Sequence, residues 1–331
     1  MKITIMLSFL ISIAGFVSIS GCDNNQGTLT LQQVNEPKSY LGYSSNTVMI
    51  NGLRFHYVES GSGPVIILLH GFPYFGETWD PLLKPLSKRF HVVAPDNRGY
   101  GFTEKPPEIN DYKIECLVSD VVELIKYVAD DRPVIIIGHD WGGVLAWSVA
   151  QQHPALVDKL IVINAPPYNV MLNMLSNSDS QRAASGYISK MTSWVGKLYF
   201  YIKGPELMWG EALAKLHEQG VLSDEFKRAF LSAWSQAGAA EAAINWYKAN
   251  IPNFDDINEK SYWPSKAARV TVPSLLIWSK DDKAFSNDTF REIPRFVDNL
   301  QIKVINTSSH TPFLDHTNQV IDYIGQFIST Q

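Results

Sequence analysis

Residues Pro133 to Val144 constrain the fold more than any other stretch of the chain. They read Pro-Val-Ile-Ile-Ile-Gly138-His-Asp140-Trp-Gly142-Gly143-Val. A β-branched apolar run stops at a glycine, Asp140 follows, and two more glycines open a helical pattern that Pro154 stops. The order is strand, sharp turn, helix. Strand and helix can approach this closely only where side chains are small, and the apical side chain then projects from the end of the strand. An aspartate at the apex has a reference pKa of about 3.9, so it is an anion at neutral pH without help from a base. Its natural target is a polarised sp3 carbon, attacked in line to give an alkyl ester on the protein. The bland alternative is an N-cap for the following helix, a role aspartate also fills well.

Further apolar runs occur at Val65–Leu69, Val92–Ala94, Leu160–Ile163, Pro273–Trp278 and Ile302–Ile305. Helical periodicity lies between or after them, at Ile114–Val128, Gly143–Gln152 and Val320–Phe327. Short, fully apolar strands alternating with helices predict an α/β protein, with a mostly parallel sheet covered by helices on both faces. Asn51-Gly52 within Val48–Val58 predicts a tight hairpin. From Tyr168 to Ala267 strand-like runs vanish. Helical stretches replace them at Ala183–Met191, Glu206–His217, Ser223–Gln236 and Ala239–Ala249. This predicts a helical cap, residues 168–267, inserted into a core made of residues 46–167 and 268–331.

The first 21 residues read as a targeting segment. Lys2 is followed by the apolar run Met6–Ile19, shorter than a membrane span needs. The run ends in Ile19-Ser-Gly-Cys22, which resembles the bacterial lipoprotein processing box. That resemblance implies a lipidated Cys22, a polar tether over residues 22–45, and a mature protein anchored in the bacterial cell envelope after export across the inner membrane. Cys116 would then be the sole remaining thiol, with no intrachain disulfide and no cysteine metal site expected. The chain has 28 basic and 33 acidic residues, a formal charge of −5. Removing residues 1–21 takes away Lys2 and no acid, which leaves −6. Without a basic patch, nucleic acid is excluded as a partner.

In a parallel sheet, chemical groups gather at the carboxyl ends of strands. Four runs here end in residues of that kind, namely His70-Gly71, Asp140, Asp281-Asp282 and His310. The chain order is nucleophile, acid, histidine.

These residues resemble the epoxide hydrolases of the α/β-hydrolase superfamily over about residues 48–328. His70-Gly-Phe-Pro73 is similar to that family's oxyanion loop, and Asp96-Asn-Arg-Gly-Tyr-Gly101 to its R-G-Y-G turn. Gly138–Gly143 is similar to its nucleophile motif, and Asn245-Trp-Tyr247-Lys to its N-W-Y-R cap motif. The resemblance implies an α/β-hydrolase fold with Asp140 as nucleophile and His310 as base. Trp278-Ser-Lys-Asp-Asp282 fits the family's W-G-x-x-D, which favours Asp282 over Asp281 as the acid. Asn164 occupies the strand end where some haloalkane dehalogenases carry their acid, and it is not ionisable.

The resemblance further implies two cap tyrosines that hydrogen-bond the epoxide oxygen. Tyr247 matches one. Gln181-Arg-Ala-Ala-Ser185-Gly-Tyr187 resembles Q-x-x-A-S-x-Y and favours Tyr187 as the other. Tyr199 and Tyr201 compete with it, and an alignment anchored on Ser193-Trp194 would put Val195 there instead. The backbone amides of Phe72 and Trp141 are expected to form the oxyanion hole. His70, Pro73, Trp141 and Trp246 are expected around the substrate, and His139 is expected only to pack. The implied substrate is a small hydrophobic epoxide, the product a vicinal diol, and no metal or organic cofactor is called for. A dehalogenase is the nearest rival, because Trp141 also follows the nucleophile in haloalkane dehalogenases. Against it, Phe72 stands where their loop carries asparagine, and Trp141–Val144 lacks the arginines of fluoroacetate dehalogenases. A non-catalytic binder of hydrophobic ligands would usually have lost the nucleophile or the histidine, and neither is lost.

Overall fold

The computed structural model describes residues 39–329. Met6–Ile19 and Cys22 lie outside that range. Eight strands make one sheet: β1 (Ser44–Ile50), β2 (Leu53–Ser60), β3 (Val65–Leu69), β4 (His91–Pro95), β5 (Val134–His139), β6 (Val157–Ile163), β7 (Ser274–Ser279) and β8 (Leu300–Ile305). Their order is β1-β2-β4-β3-β5-β6-β7-β8. The pairs β1–β2 and β2–β4 are antiparallel, and the remaining pairs are parallel. Asn51 and Gly52 join β1 to β2 with φ of 50° and 75°. Asparagine and glycine tolerate this left-handed region better than other residues, which is why that dipeptide makes a hairpin turn.

The core helices are α1 (Asp80–Leu86), α2 (Ile114–Ala129) and α3 (Trp141–Gln152). The segment between β6 and β7 is helical: α4 (Tyr168–Asn177), α5 (Asp179–Ala184), α6 (Gly186–Thr192), α7 (Trp194–Ala212), α8 (Ala214–Glu218), α9 (Asp224–Trp234) and α10 (Ala239–Asn250). After β7 come α11 (Asn287–Glu292), α12 (Pro312–Asp315) and α13 (Thr317–Ser329). Strands β3, β5 and β7 are buried along their whole length. Their side chains alternate between two apolar layers. Ile67, Leu69, Ile136 and Leu276 pack with α2 and α3 on one face. Ile66, Leu68, Ile137 and Ile277 pack with Leu82 of α1 and Ile324 of α13 on the other. An apolar run without polar alternation is what two covered faces require.

Two features depart from the sequence expectation. The cap periodicity begins a helix at Glu206, but α7 starts twelve residues earlier, at Trp194. Gly204, with φ 60° and ψ −156°, breaks α7 just before Pro205, so Trp194–Lys203 is a separate helical stretch. Cys116, buried on α2, is disulfide-bonded and not the lone thiol expected.

Candidate active site

Asp140 sits at the end of β5 with φ 51° and ψ −126°. That backbone region is unfavourable for a residue with a side chain, by about 1–3 kcal/mol, so it persists only where the surroundings enforce it. The glycines around it supply the enforcement. A Cβ on Gly143 would lie 2.6 Å from the Ala165 Cβ, and one on Gly138 would lie 2.8 Å from the Gly143 Cα. The helix thus starts directly against the strand, and the Asp140 carboxylate is aimed out of the turn.

The Phe72 amide donates to Asp140 Oδ1 at 2.9 Å. Asp140 Oδ2 faces His310 Nε2 at 3.4 Å. His310, in the loop after β8, donates from Nδ1 to Asp282 Oδ2 at 2.6 Å. Asp282 Oδ1 accepts the amides of Ala284 and Phe285 at 2.7 and 2.8 Å. The loop after β7 therefore wraps its own backbone around this fully buried carboxylate. Asp281, one residue earlier, is exposed, so of the two only Asp282 reaches His310.

Burial alone would raise the Asp140 pKa. The hydrogen bond and charge of His310, the nearby His139 and the Trp141 amide overcome it and hold the group below its ordinary value. For His310 burial acts downward, but Asp282 and Asp140 outweigh it and raise the imidazole to about 10. The resting site is thus a carboxylate–imidazolium–carboxylate array. Neutralising Asp140 removes one of the two charges that hold the proton on His310.

Two residues without an assigned chemical role position this histidine. His139 Nε2 donates to the His310 carbonyl at 2.8 Å, and Asn164 Nδ2 donates to the same oxygen at 2.9 Å. Asn164 also bridges to β7, accepting the Ser279 amide at 2.7 Å. The expectation of plain packing for His139 missed this bond. Burial and the neighbouring His310 lower its pKa to about 3, so the ring is neutral and Nε2 carries its proton. A polar residue at the end of a buried strand was the available signal for both.

A narrow pocket opens in front of Asp140, lined by Trp141, Val144, Met171, Leu175, Ser185, Tyr187, Ile188, Tyr247 and Phe285 among others. It is apolar apart from a few groups. The Tyr187 and Tyr247 rings meet edge-on there with centroids 6.4 Å apart, and both hydroxyls feel the Asp140 charge. Burial, its tyrosine partner and the Asp140 carboxylate raise the Tyr247 phenol above its ordinary value. Tyr187 is 42% exposed as a residue, but burial of its hydroxyl end in the pocket and the Asp140 charge raise it in the same direction, so both stay protonated donors. Tyr199 and Val195 point into solvent from α7, and Tyr201 lies on the same helix.

Of the four residues expected around the substrate, Trp141 lines this pocket, and His70, Pro73 and Trp246 are not among its lining residues. His70 is buried in the loop that follows β3. Its Nε2 accepts the Asn97 amide at 3.0 Å and its Nδ1 donates to the Gly71 carbonyl at 3.0 Å. Burial lowers its pKa to about 4, which keeps it neutral in that bridging tautomer. Pro73 is buried and accepts the Trp234 indole N–H at 2.7 Å through its carbonyl. Trp246 is completely buried and donates its indole N–H to the Arg98 carbonyl at 2.9 Å. The last two bonds fasten the helical segment between β6 and β7 to the core, while those of His70 stay within the core. A large aromatic beside a catalytic-type motif reads the same in sequence whether it lines a pocket or closes a seam.

Gln181 is a further fastener that motif matching used only as a landmark. Its Nε2 donates to Ser185 Oγ at 2.9 Å and to the Ala284 carbonyl at 3.0 Å. Its Oε1 accepts Thr289 Oγ1 at 2.6 Å and the Ser286 amide at 2.8 Å. The start of the Tyr187 helix is thereby pinned to the loop that carries Asp282.

Residues 64–317 match the family model described as the alpha/beta hydrolase fold. The AB hydrolase superfamily protein YfhM of Bacillus subtilis (strain 168) is 32% identical over 292 residues, covering 85% of this chain and 95% of that protein. Epoxide hydrolase 4 of Homo sapiens is 32% identical over 292 residues, covering 85% of this chain and 77% of that protein. Among solved structures, a mutant epoxide hydrolase from Bacillus megaterium complexed with its diol product superposes with a TM-score of 0.80. It shares 26% identity and covers 86% of this chain and 100% of its own. Epoxide hydrolase from Vigna radiata superposes at 0.72, with 26% identity, 88% coverage of this chain and 99% of its own. The chain belongs to the α/β-hydrolase family. Within it, the protein is an epoxide hydrolase-like enzyme.

Proposed function

We propose that the protein hydrolyses an epoxide to a vicinal diol through a covalent ester on Asp140. The observation that carries this reading is the pair of protonated cap hydroxyls, Tyr187 and Tyr247, sharing one apolar pocket with an ionised Asp140. Asp140 Oδ2 attacks an epoxide carbon from behind the C–O bond. The bond breaks, and the departing oxygen takes a proton from the tyrosine pair. Oδ1, already held by the Phe72 amide, becomes the ester carbonyl oxygen. Alkylation removes the Asp140 charge, the His310 pKa falls, and the imidazolium gives its proton to the tyrosinate left by the first step, so the ring becomes a base. It takes a proton from water, whose oxygen adds to the Asp140 carbonyl carbon. The Phe72 and Trp141 amides hold the resulting oxyanion. Collapse releases the second diol oxygen, which takes the proton from His310. The regenerated Asp140 acid then ionises, and its proton returns to His310, restoring the imidazolium.

An alkoxide is a strongly basic leaving group and needs a donor, whereas a halide does not. Tyr247→Phe is therefore expected to slow single-turnover ester formation from an epoxide by about 10²–10³-fold. Tyr187→Phe should act in the same way, and the double variant should be nearly inactive, all with unchanged melts. Wild-type rates of ester formation in both single variants would argue for a halide substrate instead, with the Trp141 indole in the pocket as its donor.

Asp282→Asn is expected to lose at least about 10²-fold more turnover than Asp281→Asn, because the partner of the histidine sets its tautomer and stabilises the imidazolium. Steady-state rates and folding controls for the two variants decide this, and equal, modest losses would leave the acid unassigned.

We propose also that Cys22 is acylated and anchors the mature protein to the bacterial envelope. Stable anchoring requires more than one acyl chain, as bacterial lipoproteins are expected to carry. Metabolic labelling with a fatty-acid analogue should mark the wild type and not Cys22→Ser. Label retained in Cys22→Ser would refute the anchor.

A further inference from the structure

We infer that the first half of α7 is an interfacial helix that docks the cap onto an anionic lipid bilayer, with the mouth of the active-site pocket beside it. Trp194, Val195, Leu198, Tyr199 and Ile202 are between 43% and 76% exposed, the densest run of exposed large apolar side chains in the described residues. At about 100° per residue these five fall within one arc of roughly 140° on the helix surface. Phe200 on the opposite face packs into the protein. Gly196 allows α7 to lie against the end of α6, where a Cβ would sit 2.7 Å from the Met191 carbonyl oxygen. The inward face is thus filled and the outward face is apolar without cover.

Charge selects the occupant. Lys197 and Lys203 lie on either edge of the apolar arc, and Lys190 precedes it on α6. Residues 186–205 contain these three lysines and no acidic residue, in a chain whose net charge is −5. An apolar stripe edged by lysines fits the boundary between acyl chains and anionic headgroups. A second copy of this acidic protein fits the lysines less directly.

The location gives the surface a use. Ser189, Thr192 and Ser193, immediately before α7, line a surface groove together with Ile188 and Ile251. Ile188 and Ile251 also line the pocket in front of Asp140. A cap seated on its α7 stripe therefore presents the pocket mouth to the lipid surface, and the substrate class becomes lipophilic epoxides dissolved in the membrane. This assignment rests partly on the Cys22 anchor. From Cys22 to Ser39 the chain can extend by at most roughly 60 Å. β1 begins at the sheet end away from the cap, because Ser44 pairs with Glu59 and β2 runs antiparallel to β4. Strands of five to eight residues span only about 17–27 Å, so such a tether is long enough to let the cap face the same bilayer.

The test uses the purified full mature protein with vesicles of phosphatidylcholine and phosphatidylglycerol, some carrying brominated acyl chains that quench tryptophan on contact. Quenching of wild-type emission that disappears in Trp194→Phe is the expected result, weaker on pure phosphatidylcholine and at high salt. Trp194→Asp combined with Ile202→Asp should cut turnover of a vesicle-dissolved epoxide by about tenfold or more while a water-soluble epoxide is turned over as before. Both side chains are exposed, so the fold should survive, and the soluble substrate reports it. Vesicle pelleting without Trp194-dependent quenching would mean that the anchor holds and the docking proposal is wrong. Quenching by a protein that carries no acyl mass would uphold docking and refute the anchor. A concentration-dependent dimer abolished by the Asp pair, with no quenching, would overturn the proposal in favour of a second copy of the chain.

Discussion

Asp140→Ala is expected to lower turnover by roughly 10⁴-fold or more, the scale seen when the nucleophile of a coupled triad is removed. The carboxylate is buried, ionised and already oriented, with one oxygen on the Phe72 amide and the other facing His310. No neighbouring group in the pocket lining is a comparable nucleophile. The change should leave the melting temperature within a few degrees, because it removes a costly buried charge along with its hydrogen bonds. Diol formation is the quantity to measure, with circular dichroism as control. A variant that folds and keeps substantial activity would exclude the ester mechanism.

His310→Gln is expected to separate the two half-reactions. The ester should still form, since Asp140 needs no base, but its hydrolysis should slow by about 10²–10⁴-fold. Mass spectrometry of the variant after exposure to substrate should place the adduct on the peptide containing Asp140. An adduct elsewhere, or none with a verified substrate, would overturn the assignment. The wild type should show a related pH effect. In the resting enzyme His310 titrates near 10. Once Asp140 is esterified, only Asp282 remains to hold the proton, so the pKa drops. Hydrolysis of preformed ester should therefore rise with pH through a midpoint below 10, while ester formation stays level over the neutral range, where Asp140 is already ionised. A midpoint at or above 10 would show that alkylation does not release the base.

Glycine spacing and apolar runs carried the fold class, because both signals are local. A strand covered on both faces must be apolar throughout, and a turn that lets a helix start against a strand must lack side chains. The end of each run then marked where His70, Asp140, Asp282 and His310 would come. Tandem Asp281 and Asp282 differ by half a pleat, and the loop geometry after β7 turned one inward and left the other in solvent. His139 and Asn164 looked inert, since the bonds they make are to a backbone carbonyl 171 and 146 residues away.

By itself the sequence determined the class of sheet, the elbow and the chemical types at the strand ends, all of which depend on neighbours within a turn or two. Tertiary structure alone decided which cap residues face Asp140. Tyr187 and Trp246 both sit in motifs of cap type, yet one enters the pocket and the other closes the seam on Arg98. The apolar stripe of α7 became visible in the same way, because helical periodicity records which side chains share a face but not whether anything covers it. Those outcomes depend on how the cap docks on the core, through contacts such as Gln181 to Ala284 and Trp234 to Pro73 that join residues over a hundred positions apart.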